Sequence, residues 1–139
     1  MSSLPGLPFQ VGDSASVRRT IGDKEIQAFA ALFDDYNPLH VDDAYAGRSR
    51  FGGRIAHGVI CLGLISHLIG MKLPGTGAIY LGQSARFLKP VRVGDTVTAS
   101  VEVTKIRADK PILTLAARCV NQKGEAVMEG DAVVMWEGG

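Results

Sequence analysis

The sequence is poor in the features that mark several specialised protein classes. Among 139 residues there are two cysteines, Cys61 and Cys119. They lie far apart, with no C-x-x-C and no Cys/His spacing suited to a metal, which argues against a disulfide framework or a zinc ribbon. Cys61 falls in a continuous apolar segment, where a thiol packs as a small hydrophobe. Both cysteines are therefore expected to be buried and reduced, in keeping with a cytoplasmic location.

Charge of one sign is also missing. Fifteen basic residues against 14 acidic ones give a net charge of +1, and the basic residues form no run. Nothing here calls for nucleic acid or an acidic membrane as partner. The longest apolar stretch, Val59 to Ile69, is broken by Ser66 and His67 and falls well short of the ~20 residues that span a bilayer. Met1 to Pro8 has neither the basic nor the apolar region of a secretory signal. No G-x-S-x-G element and no phosphate loop occur, and Gly75-x-Gly77 precedes a strand pattern where a dinucleotide fingerprint would need a helix. Internal repeats and low-complexity segments are absent.

What remains is an ordinary globular composition, 46% hydrophobic and 21% charged, at a length that suits a single domain with a proper core. Residues 1–8 read as a flexible lead-in rich in Ser, Pro and Gly. Residues 9–21 supply a first, edge-like strand. A helix is expected over 23–35, because Ile26, Phe29, Ala30 and Phe33 fall on one stripe. Gly22 sits at its N-cap, Asp23 and Glu25 favour its dipole, and Pro38 is expected to stop it. Residues 39–56 look irregular, with one short helix near Asp42 to Ala46. His57 to Gly70 is apolar on nearly every side, so this helix is expected to be wrapped by the rest of the fold. Then the period changes to two: residues 78–88, a strand centred on Val97 to Val103, 112–120 and 126–136 read as strands joined by tight turns. The architecture expected is α+β, an antiparallel sheet curled around one central apolar helix.

The densest titratable cluster is Asp34-Asp35-Tyr36-Asn37-Pro38-Leu39-His40-Val41-Asp42-Asp43. On a continuous helix Asp35 and His40 would point about 140° apart. A break at Pro38 lets the chain fold back, so that a carboxylate and an imidazole can converge on one water and do general acid–base work. Asp, Asn and Pro after a helix are equally the chemistry of a turn, and spacing alone leaves both readings open. His57 could cap a helix or line a site, and His67 suits a core or an interface. His40-x-Asp42 has no further metal ligand at useful spacing.

Asp35-x-Asn37-Pro38-Leu39-His40-x-Asp42, followed by Ile55-Ala56-His57-Gly58, resembles the signature of the MaoC-like, or hydratase 2, family of hot-dog-fold enzymes. The similarity runs on through Leu73-Pro74-Gly75, Ile79-Tyr80-Leu81-Gly82-Gln83-Ser84, Phe87-x-x-Pro90-Val91 and Val93-Gly94-Asp95-x-Val97, and covers most of residues 20–136. Within that family the chain is most similar to short (R)-specific enoyl-CoA hydratases that supply polyhydroxyalkanoate synthesis. The resemblance implies that Asp35 and His40 are the catalytic pair and that the Gly58 N–H is the oxyanion donor. It places Ser66 in the site. Asn37, His57 and Ile69 are further candidate substrate contacts, and Leu62, Ile65 and Ile69, beneath the central helix, are candidates for the pocket wall. It implies an acyl-CoA substrate, no cofactor or metal, and a homodimer joined edge to edge. Arg48, Arg50, Arg54, Arg86, Lys89 and Arg92 include candidate ligands for the CoA phosphates, though each also suits a solvated surface charge. Three positions depart from the family pattern: Phe33-Asp34 stands where Ser-Gly is common, and Val59 where Met is common. Thioesterase, acyl-carrier-protein dehydratase and non-catalytic binding roles share the fold and remain alternatives.

Overall fold

A computed structural model describes residues 6–138; most of the expected lead-in, residues 1–5, lies outside the described residues. The expected edge strand forms as β1, Ser14–Ile21. The helix that follows, α1, covers Asp23–Phe33 and buries Ile26 and Ala30. Its first turn is tied by the Glu25 carboxylate, which accepts from the Gly22 N–H at 3.0 Å, satisfying a donor that the helix itself cannot.

The end of α1 differs from expectation. The helix stops at Phe33, because Asp34 turns left-handed with φ 56° and ψ 39°, a conformation that short polar residues tolerate. Pro38 comes too late to terminate it. Instead it opens a short helix, α2, Pro38–Val41, whose cap is Asn37. Proline is well suited to that position, where its missing N–H costs nothing. A second short helix, α3, spans Asp43–Gly47 and is capped by the Asp42 carboxylate, which accepts from Tyr45 N. The long apolar helix, α4, covers Ile60–Met71.

The strands after it are β2, Ala78–Gln83; β3, Arg86–Phe87; β4, Asp95–Ile106; β5, Ile112–Val120; and β6, Ala126–Trp136. They form one antiparallel sheet in the order β1-β4-β5-β6-β2, with β3 also on β6. The expected strand over 78–88 is thus two pieces, kinked at Ser84 and Ala85. That kink crosses β6 at Gly130, where any Cβ would collide with the Ser84 carbonyl. β2 is carried to the far edge by its pairing with β6.

Alternate residues of β4, Val97, Ala99, Val101 and Val103, are buried and meet Leu113, Leu115 and Val134 of the neighbouring strands in one core. Helix α4 presses Cys61, Ile65, Leu68 and Ile69 into that core, each large side chain contributing roughly 1.5–3 kcal/mol by leaving water. This is the hot-dog arrangement, an α+β fold with the sheet curved about the apolar helix. The helix is not wrapped on every side, however: Gly63, Ser66, His67, Gly70 and Met71 remain exposed. Leu32, Phe33, Val59, Tyr80 and Leu81 are also exposed, so this side of the molecule carries apolar surface that composition alone would assign to the interior.

Candidate active site

The left-handed turn at Asp34 directs the chain off the end of α1. The N–H groups of Asp34 and Asp35 both return to the Ala30 carbonyl, which anchors the backbone of Asp35 while its carboxylate projects away, 47% exposed. One carboxylate oxygen accepts from the Asn37 N–H at 3.4 Å. The other lies 4.0 Å from His57 Nε2. Asp34 itself is exposed.

Proline-initiated α2 carries His40 back toward this carboxylate. Nδ1 of His40 is 2.7 Å from the Ile55 carbonyl. A carbonyl can only accept, so Nδ1 bears the proton and Nε2 is the open nitrogen of the neutral ring. His57 is oriented by the same logic: its Nε2 is 3.0 Å from the Asp35 carbonyl and must donate. Its ring lies between Phe29 and His40, with centroids at 4.5 and 3.9 Å, and is only 3% exposed. His57 Nδ1 is left buried without a partner, the single such side-chain atom among the described residues. A carboxylate oxygen of Asp35 and a ring nitrogen from each of His40 and His57 lie within 4.8 Å of one another.

That spacing suits a shared water, since two groups each ~2.8 Å from one oxygen at a tetrahedral angle are ~4.6 Å apart. It suits a catalytic metal less well. With His40 Nδ1 and His57 Nε2 already donating to carbonyls, the groups open toward the cleft are His40 Nε2 and the Asp35 carboxylate, one short of the usual three protein ligands.

Gly58 completes the arrangement. The backbone N–H groups of Gly58 and Val59 donate to no acceptor among the described residues, whereas those of Ile60, Cys61 and Leu62 close the first turns onto His57, Gly58 and Val59. The start of α4 therefore presents unpaired donors at its positive end, the arrangement that stabilises a developing oxyanion. Glycine at 58 also leaves room for a neighbour: a Cβ there would stand 3.0 Å from the Phe87 ring, which would have to shift to admit it.

Asp35, His40, His57 and Gly58 line one cleft of about 460 Å³, together with Arg50, Val59 and Phe87. The other expected contacts lie elsewhere. Asn37 points its carbonyl oxygen at Leu39 N and caps α2. Ser66 and Leu62 line a separate apolar groove of about 640 Å³ with Phe33, Tyr80 and Leu81. Ile65 and Ile69 are packed in the core, at 0% and 2% exposure. Val59 is common to the cleft and the groove. His67 is exposed on α4 and lines a further groove with Val17 and Leu32.

The basic candidates separate too. Arg86 and Lys89 pair with Glu129 and Glu125, and Arg54 with Asp23 and Asp43. Arg92 donates to the Phe51 carbonyl. Arg48 and Arg50 have no carboxylate partner among the described residues, and Arg50 lies over the Phe51 ring at the cleft. Cys61 also reaches the cleft, but the Cys119 thiol donates to its carbonyl at 3.8 Å. The hydrogen bond with Cys61, then burial, push the Cys119 thiol up, so Cys119 stays protonated and inert. No helix among the described residues is long and apolar enough to cross a membrane.

The chain is similar to known proteins over most of its length. Residues 10–121 match the family model described as MaoC like domain. The chain is 50% identical over 125 residues to an (R)-specific enoyl-CoA hydratase of Aeromonas caviae, covering 90% of this chain and 93% of that one. It is 48% identical over 124 residues to another from Rhodospirillum rubrum, covering 89% and 85%. The solved structure of an (R)-hydratase from A. caviae involved in PHA biosynthesis superposes with a TM-score of 0.90 at 49% identity, covering 93% of this chain and 98% of that one.

Proposed function

The chain belongs to the MaoC-like domain family, and on that premise we propose that it is an (R)-specific enoyl-CoA hydratase, converting trans-2-enoyl-CoA to (R)-3-hydroxyacyl-CoA. The observation that carries the proposal is the convergence of Asp35 and His40 within 4.8 Å, beside the unpaired N–H of Gly58. The thioester carbonyl accepts from Gly58 N–H, which draws electron density from the double bond and makes C3 electrophilic. Asp35 and His40 Nε2 hold one water between them. As its oxygen bonds to C3, one of these groups takes the proton, the π pair moves toward C2 and the thioester oxygen, and a proton is delivered to C2. Dehydration uses the same groups in reverse. This chemistry calls on no metal, flavin or nicotinamide.

The working form is a homodimer. Strand β2 is a sheet edge with Ile79, Tyr80 and Leu81 exposed, beside Leu32, Phe33 and Val59. An unpaired edge next to apolar surface favours a second copy. The substrate's acyl chain enters past Val59 toward the groove at Ser66, and Arg50, which lines the cleft, suits the CoA phosphates. Two free thiols fit a reducing cytoplasm.

The test is an assay with trans-2-enoyl-CoAs of several lengths. Loss of enoyl absorbance without release of free thiol, yielding the (R) alcohol, is expected. Free thiol release would identify a thioesterase, and binding without turnover a non-catalytic module.

A further inference from the structure

The segment Arg54–Ile55 holds Leu39 and His40 at three points. Ile55 N donates to the Leu39 carbonyl at 3.1 Å, the Ile55 carbonyl accepts from His40 Nδ1 at 2.7 Å, and Arg54 NH1 donates to the His40 carbonyl at 3.2 Å. The guanidinium is itself fixed from two sides. NH1 also donates to Asp23 of α1 at 2.8 Å, and Nε to Asp43 of α3 at 3.0 Å. Arg54 therefore joins the start of α1, the chain of α2 and the start of α3 with one planar group.

The exposure of the two carboxylates limits what these ion pairs add to fold stability. The Arg54 side chain is 12% exposed, but Asp23 and Asp43 are 57% and 91% exposed, and pairs open to water contribute little. What the group does control is place. It fixes the backbone at His40, and hence where the ring meets Ile55. A lysine could satisfy one carboxylate but lacks the fork that reaches both and the carbonyl together.

We propose that Arg54 is a positioning residue of the reaction: it holds the His40 backbone so that Nδ1 stays on the Ile55 carbonyl and Nε2 stays open to the water shared with Asp35. The proposal rests on the hydratase reading above, and it removes Arg54 from the candidates for the CoA phosphates.

The test uses Arg54→Lys and, at an exposed anchor, Asp43→Asn. Each is assayed for kcat and KM on a trans-2-enoyl-CoA, and each is labelled with 15N so that NMR reports which nitrogen of His40 is protonated. For Arg54→Lys, kcat is expected to fall about 10- to 100-fold, as for a displacement of ~1 Å in a reacting group, with KM nearly unchanged and the His40 signal moving from one tautomer toward a mixture. Asp43→Asn is expected to change both readouts in the same direction by at least about twofold, and it carries the test if Arg54→Lys does not fold. Unchanged kcat in either folded variant would overturn the proposal, as would a fall in kcat with the His40 tautomer intact. A rise in KM alone would also overturn it, returning Arg54 to substrate binding. An inactive wild-type protein would instead contradict the hydratase reading.

Discussion

The imidazole of His57 lies against that of His40, with ring centroids 3.9 Å apart and planes inclined by 30°. The two rings nevertheless have different work. His40 keeps its Nε2 open, whereas His57 has committed its Nε2 to the Asp35 carbonyl and its body to the packing between Phe29 and His40. In the proposed reaction His40 meets the water and substrate, while His57 fixes the backbone of Asp35 beside it.

This division predicts a graded mutational series. Asp35→Asn and His40→Gln should each lower kcat about 10²- to 10⁴-fold while leaving the circular dichroism spectrum unchanged. His57→Phe retains a ring but loses the N–H to Asp35. It should cost about tenfold, the equivalent of one lost neutral hydrogen bond. Steady-state kinetics on the three variants checks the order.

Val59 forms a wall of both the catalytic cleft and the groove that contains Ser66. Val59→Trp should obstruct passage between them. Activity toward a four-carbon enoyl-CoA is expected to survive within about threefold, and activity toward longer chains to fall about tenfold or more. Comparing kcat/KM across chain lengths measures the contrast; equal losses at every length would mean that the acyl chain does not pass Val59.

The exposed β2 edge and its apolar neighbours predict association. Light scattering at micromolar concentration should give twice the chain mass. Tyr80→Asp combined with Leu81→Asp should shift the protein to monomer, since buried charges without partners oppose the contact.

Acid should weaken the fold through identifiable carboxylates. Backbone hydrogen bonds, the Gly22 N–H among them, and the Arg19 guanidinium hold Glu25 below its ordinary value of 4.5. Hydrogen bonds from Lys89 and Asn121 do the same for Glu125. A carboxylate with a depressed value in the folded state stabilises above its unfolded value, and that contribution is lost as pH falls through the folded one. Thermal midpoints should therefore hold steady above pH 4.5 and decline below it. Glu25→Gln should start lower and decline less.

Much of the fold was legible because periodicity reports burial directly. The strands over 112–120 and 126–136 and the helix beginning at Asp23 appear where the pattern places them. Two features were not legible. Asp34 ends α1 by turning left-handed, and no hydrophobic period records a single residue's φ. The exposed side of α4 was not legible because a helix apolar on nearly every side carries no period to say which face meets the core. In the site, the motif named Asp35 and His40, and Asn37 and Asp42 proved to serve the turn as caps. The proposed acid–base pair and the helix caps thus alternate along one segment. The hold of Arg54 on His40 was hidden because its contacts span 11 to 31 residues of sequence, a separation that no local pattern shows.

The central claim is that one water, held by Asp35 and His40 on one side of the double bond, supplies both parts that add. Hydration of a trans-2-enoyl-CoA in heavy water, followed by proton NMR of the 2-deuterio-3-hydroxyacyl product, tests this most directly. A single diastereomer with deuterium and hydroxyl delivered to the same face, and the (R) configuration at C3, is the expected result. Delivery to opposite faces, in a product that does not exchange at C2 afterwards, would contradict it.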